Sequence, residues 1–152
     1  MIDHSFIGFK TPPFSVEVEK GRLRLFAKAI GELDPIYSDE TAALAAGFRS
    51  LPVPPTFLFC LEMERPDAYD WCEELNVPLA RVLHGEQAFT YYGAAYAGDL
   101  LTFSSEIVDI YDKKNGTLEF IVRKNTITNQ QNEQIAEFDS TLVIRPKSEL
   151  TT

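Results

Sequence analysis

From about residue 81 onward the chain is a succession of four long strand-like segments, and one dipeptide fixes how two of them meet. Asn115-Gly116 separates segments 100–111 and 118–127. Asn-Gly suits the type I′ turn, whose twist matches that of antiparallel strands, so the two segments read as a hairpin. Segment 82–92 precedes them, with Gly98-Asp99 read as the turn in between; polar residues 128–134 lead to a last strand, 135–145. In that strand Ala136, Phe138, Ser140, Leu142 and Ile144 share one face, and Glu137, Asp139, Thr141, Val143 and Arg145 the other. Such alternation belongs to an antiparallel strand with one face in the core. The strands are long for ordinary sheets, and a long apolar face needs a cover.

The first half supplies one. Leu23, Phe26, Ala27 and Ile30 recur at helical spacing, with Ser15 or a neighbour read as the cap and Gly31 as the stop. Ser38-Asp39-Glu40 starts a second helix that Gly47 ends. Pro52, Pro54 and Pro55 bar regular helix before residue 55, where proline suits the first turn of a third helix, 56–63. Phe57, Leu58, Phe59, Cys60 and Leu61 make that helix apolar nearly all round, which marks it as buried. Residues 65–78 read as a loop or short helix around Trp71, a packing residue. Helices followed by consecutive antiparallel strands argue an α+β fold.

At 152 residues and 17.1 kDa the chain suits one domain. Fourteen Lys and Arg against 23 Asp and Glu leave a net charge of −9, which repels phosphate backbones and argues against nucleic acid. No apolar run approaches a membrane span, and Met1-Ile2-Asp3-His4 has no signal-peptide character, so a cytoplasmic protein is expected. Cys60 and Cys72 read as reduced thiols, Cys60 as a core hydrophobe. His4 and His84 are the only histidines and neither has a ligand-spaced neighbour, so no metal is expected.

Two constellations carry chemical interest. The segment Gly31-Glu32-Leu33-Asp34-Pro35-Ile36-Tyr37-Ser38-Asp39 gathers three carboxylates and a phenol around a proline. The commoner use of Asp at such places is helix capping. The other is Leu83-His84-Gly85-Glu86-Gln87, polar residues in an otherwise apolar strand. By period two His84 and Glu86 share one face, and Gln87 the other with Leu83 and Phe89. Gly85 marks close approach of a ligand or another backbone; an exposed edge strand is the alternative.

Together these segments resemble the MaoC-like hydratase/dehydratase family, in particular its N-terminal, non-catalytic type of repeat. Residues 80–87 carry the resemblance, with Ala45-Ala46-Gly47-Phe48-Arg49, Pro54-Pro55-Thr56-Phe57 and Ala97-Gly98-Asp99-Leu100-Leu101. The resemblance implies that residues 1–152 form a single hotdog, a long antiparallel sheet wrapped around helix 56–63. Catalytic members carry a loop Asp-x-Asn-Pro-x-His-x-Asp, whose Asp and His move a proton during hydration of 2-enoyl thioesters. Here those positions hold Glu32, Asp34, Pro35, Tyr37 and Asp39, so only Pro35 and Asp39 match. Tyrosine titrates near 10 and is a poor base at neutrality. The extra methylene of Glu32 displaces its carboxylate by about an ångström, and such misplacement can lower a rate about 100-fold. Catalytic members also place a His-Gly pair at the start of the central helix, where a backbone N–H stabilises the oxyanion. Pro54-Pro55 cannot give that N–H, though Thr56 could.

The resemblance therefore implies the non-catalytic half of an (R)-specific enoyl-CoA hydratase or 3-hydroxyacyl-thioester dehydratase of fatty acid metabolism, a hydro-lyase subunit with little activity alone. It would pair as a homodimer or with a catalytic MaoC-like chain. No cofactor is implied; coenzyme A or acyl carrier protein would carry the substrate. Phe57 and Phe59 would shape the acyl tunnel beside Pro55 and Thr56, with His84, Gly85 and Gln87 holding the strand or the thioester. The alternatives are a non-catalytic acyl-CoA or lipid carrier, and a hydratase or thioesterase with a re-formed site using Glu32 or His84.

Overall fold

A computed structural model describes residues 1–113 and 116–146. Among these residues five antiparallel strands form one sheet: β1 Lys10–Glu17, β2 Val82–Tyr91, β3 Leu100–Lys113, β4 Leu118–Thr128 and β5 Gln134–Ile144, in the order β1-β3-β4-β5-β2. Asn115 lies outside the described residues, but Gly116 has φ of 79° and β3 pairs with β4 from Lys113↔Leu118 to Thr102↔Thr128, the expected hairpin. The inward set of β5, Ala136, Phe138, Ser140, Leu142 and Ile144, is buried throughout.

Among the described residues four short α-helices lie between β1 and β2: α1 Lys20–Ile30, α2 Glu40–Ala45, α3 Phe57–Glu62 and α4 Asp70–Glu74. Gly31 ends α1 in the left-handed conformation at φ 73°, where glycine is least strained. The Asp39 carboxylate accepts from Thr41 N–H at 2.8 Å and caps α2. α3 lies inside the expected 56–63. Its Phe57, Leu58 and Leu61 pack with Leu101, Phe103, Ile127, Ala136 and Phe138. α4 covers the other half of the same face, placing Trp71 and Cys72 against Ile107, Ile121, Leu142 and Ile144. The product is the expected α+β hotdog, with α3 at the centre of the curved sheet. No described helix is long and apolar enough to cross a membrane.

Two expectations are corrected. Ser15 caps no helix: it lies in β1, where its hydroxyl meets Thr102 Oγ1 at 2.8 Å, and α1 begins at Lys20 behind Glu19. Pro12 and Pro13 disguise this strand, yet the sheet accepts them because β1 is an edge and its register shifts between Thr11 and Phe14. Gly98-Asp99 is likewise not a hairpin turn. β2 and β3 are not neighbours, and residues 92–99 cross the end of the sheet, held by Val53 N–H to Ala95 O and Ala97 N–H to Leu51 O, both 2.9 Å. Asp99 is buried there and accepts from Arg49 at 2.5 Å, Tyr96 N–H at 2.8 Å and Gln130 at 3.0 Å. Burial alone would raise its pKa, but these donors outweigh burial and hold it below the usual carboxylate range.

Cys72 is buried and Cys60 half-buried. Burial pushes the Cys72 thiol up to about 11 and raises that of Cys60 as well, so both are thiols at neutral pH.

Candidate functional site

The 31–39 loop leaves α1 at Gly31 and turns through a 3₁₀ segment, Pro35–Tyr37, before α2. Its carboxylates serve its own backbone. Glu32 accepts from Asp34 N–H at 2.9 Å, Asp34 from Ile36 N–H at 3.1 Å, and Asp39 caps α2. The expected capping use holds for Asp34 and Asp39, while Glu32 bonds the turn between α1 and the 3₁₀ segment. Among the described residues none of the three has a His or Lys partner that would tune it for proton transfer.

Tyr37 differs, because its side chain reaches a cavity. This cavity, of about 250 Å³, lies between the loop, Phe48, the Pro52–Val53 segment, Pro55, Leu58 of α3, and the Tyr91–Ala95 and Ile135 ends of β2 and β5. Its walls are almost wholly apolar. Partial burial, then the Glu32 and Asp34 charges, push the Tyr37 phenol above its ordinary value. Tyr37 is thus a neutral hydrogen-bond donor at neutral pH. At the start of α3, Phe57 N–H bonds Pro54 O at 2.9 Å, while Pro54 and Pro55 have no N–H to offer. Thr56 sits exposed beside them.

The second constellation is rearranged by a bulge. The β2–β5 register shifts between His84 and Glu86, so Gly85 is an extra residue and the period-two parity reverses after it. His84 and Gln87, expected on opposite faces, are hydrogen-bonded to each other: His84 Nε2 donates to Gln87 Oε1 at 2.9 Å, which also accepts from Ser140 at 2.8 Å. The His84 ring stacks on Phe59 with centroids 5.4 Å apart, and His84 remains exposed. What approaches Gly85 is its neighbouring strand. A Cβ at Gly85 would stand 2.9 Å from Val143 Cγ2 and 3.1 Å from Thr141 O. Gly85→Val should therefore destabilise the fold by about 1–3 kcal/mol. It should also release His84 from Gln87; thermal melting and the His84 ring NMR shifts check both effects.

The expected site residues thus fall into separate groups. Tyr37 and Pro55 share the apolar cavity. Phe59 and His84 line a second cavity of about 110 Å³, together with Glu62, Trp71, Arg123 and Ser140. Phe57 is buried against Phe26, ring centroids 4.9 Å apart, and lines neither cavity. A wider depression of about 700 Å³ near Met1 and Gly116 includes no residue of the 31–39 loop or of α3.

The sequence reading passed over one buried pair. Glu62 of α3 and Arg123 of β4 are both buried and meet at 3.5 Å. The Arg123 guanidinium lies 4.9 Å from the Trp71 ring. Burial raises the Glu62 pKa more than Arg123 lowers it, and burial also lowers that of Arg123. The signal available was a charge in each of two elements otherwise read as buried. Among the described residues no three His, Cys, Asp or Glu side chains converge as metal ligands would.

A long antiparallel sheet closed over an apolar central helix, with a cavity between the start of that helix and a proline-bearing loop, defines a hotdog of the MaoC-like dehydratase class. Residues 5–138 match the family model described as FAS1-like, dehydratase domain region, and the chain belongs to this family. It is 36% identical over 149 residues to a UPF0336 protein of Saccharopolyspora erythraea, covering 97% of this chain and 94% of that one. Among solved structures it is similar to the HadBC (3R-hydroxyacyl-ACP dehydratase) complex of Mycobacterium tuberculosis. There the TM-score is 0.79 at 26% identity, over 91% of this chain and 96% of that one. A MaoC-like dehydratase shares the fold at TM-score 0.84 and 23% identity; this chain, matched over 95% of its length, spans 44% of it.

Proposed function

We propose that this chain is the acyl-thioester-binding, non-catalytic subunit of a 3-hydroxyacyl-thioester dehydratase or (R)-specific enoyl-CoA hydratase, acting in the cytoplasm. A partner hotdog with an intact Asp and His would supply the acid–base pair. The observation that carries this is the state of the 31–39 loop. Its three carboxylates are bound to their own backbone, while Tyr37, which the sequence resemblance aligns with the catalytic histidine, is a neutral phenol at an apolar cavity. Such a site can receive an acyl group and donate one hydrogen bond to a thioester carbonyl; it lacks a base. The relative solved as a 3R-hydroxyacyl-ACP dehydratase complex supports a role within an assembly of this kind.

Calorimetric titration with butanoyl-CoA tests the reading. The wild-type chain should bind, and Tyr37→Phe should bind about tenfold more weakly, the weight of one neutral hydrogen bond. Absence of binding, or an unchanged affinity in Tyr37→Phe, counts against it.

Pairing has its own support. On the β2 edge Leu83 and Tyr91 are exposed at 47% and 45%, and Tyr92 just beyond it at 56%. Unpaired edges and exposed apolar side chains favour association. Light scattering at micromolar concentration should give at least twice 17.1 kDa. A clean monomer would leave the paired-hotdog arrangement without support.

A further inference from the structure

The core face of the sheet is apolar toward both ends and polar across its middle. Thr11 of β1 stands opposite Ser105 of β3, and Ser105 opposite Asn125 of β4. Arg123 of β4 stands opposite Ser140 of β5, and Ser140 opposite Gln87 of β2. This row divides the core in two, with Phe103, Ile127 and Phe138 on one side and Ile107, Ile121 and Leu142 on the other. Glu62 of α3 and Trp71 of α4 meet the row from the helices, and with Arg123 and Ser140 they line the second cavity, of about 110 Å³. Donors without acceptors gather here. Trp71 is 1% exposed, yet its Nε1–H has no acceptor among the described residues, and neither do the side-chain N–H groups of Asn125 and Gln87. Arg123 directs one N–H at Glu62, at 3.5 Å, and makes no other hydrogen bond among the described residues. Buried polar groups are nearly always paired, so the row calls for an occupant rich in acceptors. Water donates as well as accepts, whereas a carboxylate only accepts.

Charge adds a condition. Arg123 and Glu62 balance each other, so an anion entering alone would leave a net negative charge buried, which is costly. One proton taken up with the anion restores the balance. Glu62 is placed to hold it, because burial already favours its neutral form. The other titratable groups around the pair are Arg65, itself paired with Asp70, the Cys72 thiol of α4, and Tyr69 and His84 on the cavity wall. We propose that this cavity binds a short monocarboxylate together with one proton. The carboxylate oxygens accept from Arg123 and Trp71, and Glu62 takes the proton and donates it in a hydrogen bond to the ligand. Phe59, Val82 and Leu142 supply apolar wall for a body of a few carbons. The site shares no lining residue with the Tyr37 cavity and does not depend on acyl-thioester binding there.

Trp71 is the only tryptophan of the chain, so its fluorescence reports on the cavity directly. The test is titration of the purified chain with sodium propanoate at pH 6 and pH 7, against sodium chloride at equal ionic strength. The wild type should show a saturable change with propanoate and none with chloride. Its Kd should be about tenfold weaker at pH 7, the mark of one proton taken up on binding. Glu62→Gln fixes the neutral form of that side chain, so its affinity should be equal at both pH values and at least that of the wild type at pH 6. Glu62→Gln/Arg123→Met should lose the saturable response. If Glu62→Gln is too unstable to titrate, propanoate should still raise its melting temperature where chloride does not. A tenfold pH dependence that persists in Glu62→Gln assigns the proton to another group, His84 foremost, and overturns the proposal. Equal wild-type affinity at the two pH values overturns it as well. So do a wild type that responds no more to propanoate than to chloride, and a double variant that binds as the wild type does.

Discussion

Purified alone, the chain should hydrate short 2-enoyl-CoA at about a hundredth of the rate of a catalytic relative, or less. General acid–base catalysis by a positioned side chain contributes roughly 10²- to 10⁴-fold, and each candidate for it is compromised here in an identifiable way. The Glu32 and Asp34 carboxylates accept hydrogen bonds from Asp34 and Ile36 N–H groups within their own loop. Neither carboxylate lines the Tyr37 cavity. Tyr37 holds its proton more tightly than an ordinary tyrosine. The family resemblance puts the oxyanion donor at the start of the central helix, where Pro54 and Pro55 have no N–H to give and only Thr56 could replace it; losing one such donor typically lowers a rate about 100- to 1,000-fold. Single-turnover assays with crotonyl-CoA measure this directly. A rate close to that of a catalytic relative, abolished by Glu32→Ala, would show that the loop rearranges into a working base and that the non-catalytic assignment is wrong.

The Glu62–Arg123 pair should give the largest stability effect of any single charge change. Arg123→Met leaves the Glu62 carboxyl buried without its ion-pair partner, with only the more distant charge of Arg65 to favour ionisation, and removes the contact with Trp71. Breaking a buried pair from one side costs about 3–5 kcal/mol, and in a domain of this size that lowers the melting temperature by about 10 °C. Replacing both partners, as in Glu62→Gln/Arg123→Met, should recover most of the loss, since a buried pair is worth little against neutral packing. The pH dependence has a definite sign. Burial already raises the folded-state pKa of Glu62, and losing Arg123 raises it further. A raised carboxyl pKa contributes stability below the unfolded value, near 4.5, that is lost as pH rises through the folded value. The deficit of Arg123→Met should therefore be smaller at pH 5 than at pH 8, and the double variant should lack that dependence. Melts at both pH values decide it; a double variant as unstable as the single one would mean that packing, not charge, sets the cost.

Most of the fold was legible because it is written in local pattern. β5 alternates, the β3–β4 turn is marked by glycine at residue 116, and helix 56–63 is apolar nearly all round, so its burial follows from composition. The caps at Asp39 and Gly31 were equally local, since each depends only on residues within one turn. β1 was hidden because Pro12 and Pro13 argue against a strand, and only its place at the sheet edge makes them tolerable.

The site divides along the same line. The sequence determined that the 31–39 loop departs from the catalytic pattern at Glu32, Asp34 and Tyr37, because residue identity alone decides whether a histidine is present. Only the tertiary structure decided what Tyr37 faces, because it lines one cavity with Pro55 and Ile135, which are distant from it in the chain. It also decided the face of Gln87. One extra residue at Gly85, accommodated against Thr141 and Val143, reverses the parity of every side chain after it. Local pattern cannot foresee that reversal, because a bulge is set by the partner strand. Glu62 and Arg123 follow the same rule: 61 residues apart, each is a costly buried charge alone, and only the closed sheet brings them together.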